Sequence, residues 1–155
     1  MSSDGLVRIK RQMMIYTGLQ VALTGLLLYV AWEFQEIYAA KGALKFFFNS
    51  IFLTMFLQIL VFYPIYRFAT KEAQGELAAQ QTTNPDEMKA LRQKRIFGDY
   101  LKAAVFIFYG TFIFMAPAVT FALSTAFFSF IATTLTYLQC FNFAMKKLLT
   151  PPRKR

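Results

Sequence analysis

The chain has no histidine and only one cysteine in 155 residues. The missing histidine excludes histidine-ligated haem, histidine metal sites and the commonest acid–base catalyst. The lone thiol, Cys140, can form neither an internal disulfide nor a cysteine-only zinc site, so cysteine usage does not reveal the compartment. There is no Walker loop, GxGxxG, GxSxG or HExxH motif, and no internal repeat. No cofactor is expected. Charge is also scarce: 16% of residues are charged, against about 25% in an ordinary soluble domain. That charge is crowded into a few short stretches.

What remains is apolar. Hydrophobic residues make up 57% of the chain and 19 residues are Phe. One bilayer crossing needs roughly 20 apolar helical residues. Met13 to Trp32 is one uncharged run, and Phe46 to Tyr66 is a second. Ala103 to Met145 is a third, 43 residues long. As one helix that run would measure about 65 Å, twice the hydrocarbon thickness, so it must fold back as two crossings. The expected hairpin lies at about 121–125, around Leu123-Ser124-Thr125. The expected architecture is therefore all-α. It is an integral membrane up-down bundle of four transmembrane helices, a single domain over 1–155, with spans at about 12–33, 44–66, 100–120 and 125–146. The first span is read as a retained anchor. Its apolar core is longer than a signal peptide's, and Val30-Ala31-Trp32-Glu33 offers no cleavage site.

Orientation follows from Lys and Arg. Of 17 basic residues, 15 precede span one, lie between spans two and three, or follow span four, counting Lys102 and Lys146 at the boundaries of spans three and four. Only Lys41 and Lys45 fall in the first opposite loop, beside Glu33 and Glu36. Both termini are expected in the cytoplasm, with a bacterial inner membrane as the default location. The +9 charge then points to anionic lipid at the cytoplasmic face and not to nucleic acid.

The loop at 67–99 is expected to be helical. Lys71 to Gln80 is rich in helix formers and extends the second span. Thr82-Thr83-Asn84-Pro85 breaks it. Asn84 as cap, Pro85 at the first position and Asp86 and Glu87 against the helix dipole start another helix, ending near Phe97, with a turn at Gly98. Lys89, Arg92, Lys94 and Arg95 give this helix a basic side suited to lipid headgroups or a partner.

No charged residue sits in the middle of a predicted span, which weakens proton-coupled transport and electron transfer. Uncharged polar residues form stripes at helical spacing: Thr17, Gln20 and Thr24; Ser50, Thr54 and Gln58; Ser129, Thr133 and Tyr137. Lipid gives these groups no hydrogen-bond partner, so they are expected to face protein as interhelical glue. The sharper alternative is a polar path around Gln20, Gln58 and Tyr137. Gly18 and Gly25 suggest a close helix approach, and Pro64 and Pro117 a kink or an end.

A basic N-terminus, two hairpins and the segment Gly98-Asp99-Tyr100-Leu101-Lys102 entering span three give a layout that resembles the small accessory I subunit of F-type ATP synthases. The likeness covers the arrangement and one short motif. The expected function is a non-catalytic accessory, assembly or scaffold subunit that packs against another membrane protein or a second copy. A small oligomeric transporter or channel for a neutral or weakly polar substrate is the alternative. A lipid-modifying enzyme using Glu33, Glu36 or Asp99 is a third.

Overall fold

The computed structural model describes residues 3–82, 84–115 and 121–150, and the side chains of 3–5 and 85 lie outside that description. Four helices account for nearly all of the described residues: α1 (Ser3–Ala40), α2 (Leu44–Gln81), α3 (Pro85–Met115) and α4 (Phe121–Leu149). Each is long and apolar enough to cross a membrane. α1 and α2, at 38 residues, are each about 57 Å long, well beyond one hydrocarbon core.

Local chemistry sets the breaks. α1 ends in a Schellman motif: Gly42 takes φ +62°, Gly42 N–H donates to the Ala39 carbonyl, and Ala43 N–H to the Tyr38 carbonyl. Glycine occupies that left-handed position without a Cβ penalty. At the start of α3, the Asn84 side-chain oxygen accepts the Asp86 N–H at 3.1 Å, the cap expected there.

Four expectations need correction. Residues 121–125 are already the first turns of α4 and not a hairpin. Hydroxyls at 124 and 125 donate to the Phe121 carbonyl within the helix, so polar residues that read as a turn are compatible with it. The chain between Met115 and Phe121, with Pro117, lies outside the described residues. Gly98 does not turn the chain either; α3 runs through it unbroken. The Phe68 ring lies 3.6 Å from where a Cβ on Gly98 would stand, an ordinary contact distance. α2 likewise continues through Pro64. Gly18 and Gly25, by contrast, face open space and permit no close approach within the chain.

Consecutive helices run antiparallel. Tyr38 meets Phe47 across the Gly42 turn, Glu72 meets Lys102 and Glu76 meets Arg95 between α2 and α3, and Phe106 meets Phe130 between α3 and α4. The closest pair, however, is the parallel one, α2 with α4. α1 and α3 flank this pair and do not touch each other among the described residues. Small side chains allow the approach: Ala69, Ala73, Cys140 and Ala144 are all buried where the two helices meet.

Two clusters close the interior. At the Gly42 end, Phe34, Tyr38, Phe47 and Phe128 pack together, with Phe34 and Phe128 ring centroids 5.7 Å apart, edge to face. At the opposite end, which holds the start of α1 and the end of α4, Ile9, Ala69, Ala73, Phe141 and Met145 are fully or nearly fully buried. Met13 and Tyr16 pack on the same cluster, so the start of α1's apolar run lies beside the polar continuation of α2. The apolar runs of α1 and α2 are therefore out of step.

Candidate functional site at the seam of the inner helices

The seam between α2 and α4 carries most of the polar chemistry. Near the Gly42 end, Ser50 is buried and donates to the Phe47 carbonyl. Thr54, also buried, reaches the Thr125 carbonyl of α4 at 3.5 Å. Further along, the Gln58 amide donates to Thr136 Oγ1 at 2.6 Å and accepts from Thr133 Oγ1 at 3.4 Å. Both ends of one amide are thus spent on α4. Uncharged partners suffice here because each donor meets an acceptor.

Towards the terminal end the seam becomes charged. Glu72 of α2 takes two donors on its two oxygens: Tyr137 Oη of α4 at 2.7 Å and Lys102 Nζ of α3 at 2.6 Å. Its side chain is only 14% exposed. Lys102 also pairs with Asp99 at 2.9 Å and lies 5.8 Å from the centre of the Tyr137 ring. One carboxylate therefore ties three helices together. One turn further on, Arg95 of α3 meets Glu76 of α2 at 3.2 Å. A buried carboxylate left alone is costly, and Tyr137 with Lys102 supplies the compensation.

The predicted residues distribute as follows. Gln58, Thr133 and Tyr137 converge on the seam, and Thr54 and Ser50 continue it. The first stripe does not join them. Thr17 donates to the Met13 carbonyl and accepts from Asn142 Nδ2 at 3.3 Å, a link between α1 and α4. Thr24 is exposed and donates to the Gln20 carbonyl, so it does not face protein within this chain. The Gln20 amide nitrogen is enclosed with no hydrogen-bond partner. Among the described residues no hydrogen bond joins Gln20 to Gln58 or Tyr137. Lys89, Arg92 and Lys94 are exposed along α3, while Arg95 is committed to Glu76. Glu33 and Glu36 are exposed, and Glu36 accepts the Trp32 indole N–H at 2.8 Å.

Sequence reasoning missed Glu72, because it belongs to a segment read as a wet loop. The signal was available. Glu72 lies 14 residues beyond Gln58, two heptads along the same helix. Fourteen residues at about 100° each bring Glu72 back to within about 40° of the Gln58 side of α2.

An open groove of about 340 Å3 lies beside the seam, bordered by Leu53 and Leu57 of α2, Phe108 and Phe112 of α3, and Phe121 of α4. It is almost wholly apolar, and the Ser129 hydroxyl in its wall is buried with no hydrogen-bond partner. Comparison with known proteins adds no assignment: no family model, curated protein or solved structure matches the chain.

Proposed function

We propose that the chain is a multi-pass membrane protein acting as a non-catalytic accessory, assembly or scaffold subunit, with both termini in the cytoplasm. In this reading α2 and α4 form the internal spine, and α1 and α3 offer their outer faces to lipid and to a neighbouring membrane protein. The observation that carries it is the contrast in how side chains are used. The seam's polar groups are largely partnered with one another, which is what interhelical glue requires. The flanks carry large apolar groups that nothing among the described residues covers, including Phe97, Tyr100, Phe108 and Phe114 on α3. The basic excess at the terminal end supports the cytoplasmic orientation, and a bacterial inner membrane is the location we propose.

Native purification in mild detergent, with mass spectrometry of what travels with the chain, tests the proposal. Stoichiometric co-purification of another membrane protein is the expected result. A homo-oligomer alone, followed by solute flux in liposomes, would replace it with the transport reading.

A further inference from the structure

At the terminal end a second pocket opens between α2 and α4, away from the Glu72 cluster. Its volume is about 230 Å3, and Tyr66, Thr70 and Gln74 of α2 face Phe143, Lys147 and Leu148 of α4. The α2 residues follow i, i+4, i+8 spacing, so one stripe of the helix supplies a phenol, a hydroxyl and an amide. The Thr70 hydroxyl is enclosed and has no hydrogen-bond partner among the described residues. Lys147 brings a cation with no carboxylate within ion-pair distance among the described residues. Phe143 and Leu148 add exposed apolar surface beside these polar groups. The pocket also lies where the apolar run of α4 gives way to Lys146 and Lys147.

We infer that this pocket binds the phosphate headgroup of an anionic glycerophospholipid. Lys147 supplies the countercharge, Thr70 and Gln74 donate to phosphate oxygens, and the acyl chains run along Phe143 into the apolar run of α4. A phosphate needs several donors and a cation, and the pocket has both. Its volume is below the usual range for a whole small-molecule site, which suits a headgroup whose tails remain in the bilayer. The inference rests on the membrane-spanning part of the proposed function but not on any partner protein.

The test uses the purified full chain in detergent, titrated with phosphatidylglycerol, phosphatidylcholine or inorganic phosphate, with bound lipid counted by native mass spectrometry. Phosphatidylglycerol should bind in preference to phosphatidylcholine. Lys147→Gln should weaken that binding about fivefold, and Thr70→Val about threefold. The neighbouring Lys146→Gln, which removes the same charge outside the pocket, should change it less than twofold. Equal losses for the two lysine variants would overturn the site in favour of general surface attraction, as would binding indifferent to headgroup charge. Saturation by inorganic phosphate at comparable concentration would overturn the lipid and leave a soluble anion. Recovery of the protein in alkali-washed membranes is scored separately. Failure there sinks the membrane reading, whereas a failed titration alone sinks only the pocket.

Discussion

The inner pair of helices and the outer pair are built on different principles. α2 and α4 lie close and parallel, joined through small residues and satisfied polar groups. Among the described residues α1 and α3 touch the inner pair but not each other, and they expose aromatic and aliphatic side chains over much of their length. In lipid, apolar surface alone gives helices no reason to associate, since lipid tails are equally apolar. Close van der Waals packing and interhelical hydrogen bonds must supply the preference. The inner pair has both, and the outer faces have neither within this chain.

Phe141→Ala tests the difference most severely. Phe141 is fully buried and packs on Tyr16 at 5.0 Å. Its truncation should cost about 3 kcal/mol, mostly as an unfilled cavity. Phe114→Ala, at 93% exposed on α3, should change stability by less than about 0.5 kcal/mol. Unfolding midpoints in detergent decide the matter, and similar losses for the two would erase the contrast.

Lys102→Met comes next, at about 2 kcal/mol. It leaves the Glu72 carboxylate with Tyr137 alone, and the value sits below the range for a fully buried pair because Lys102 is 29% exposed. Adding Glu72→Gln should recover more than half of the loss. A double variant no better than Lys102→Met would mean that the carboxylate is not the group left stranded.

Among the changes at the seam, the smallest effect is expected for Gln58→Leu, about 1 kcal/mol for two interhelical bonds of ordinary strength. The same change separates the functional readings, because a transporter using this amide would lose its flux while keeping its fold.

Much of this was legible beforehand. Uncharged runs and chain length called for four long apolar helices, and Asn84 marked the start of α3. The Gln58, Thr133 and Tyr137 stripes pointed to the seam because polar groups in apolar surroundings must find one another. Other features depended on neighbours. Whether Thr24 faces protein depends on where α1 sits, and its hydroxyl is satisfied by its own helix. Charge read along the chain placed Glu72 in water. The register of α2 against α4 placed it opposite Tyr137, nine residues before the first lysine of its helix.

That register reaches beyond the molecule. Tyr16, inside the apolar run of α1, shares a cluster with Ala69 and Ala73, which lie past the end of the apolar run of α2. The offset amounts to roughly two helical turns, about 10 Å. A bilayer of uniform thickness cannot match both runs at once. Spanning a bilayer, as proposed, the bundle would have to lean, or the leaflet would have to step between the α1 side and the α2 side, at a cost of fractions of a kcal/mol for each ångström left unmatched. A neighbour with the opposite slant would relieve that mismatch on contact. The membrane itself would then favour assembly before any side chain met its partner.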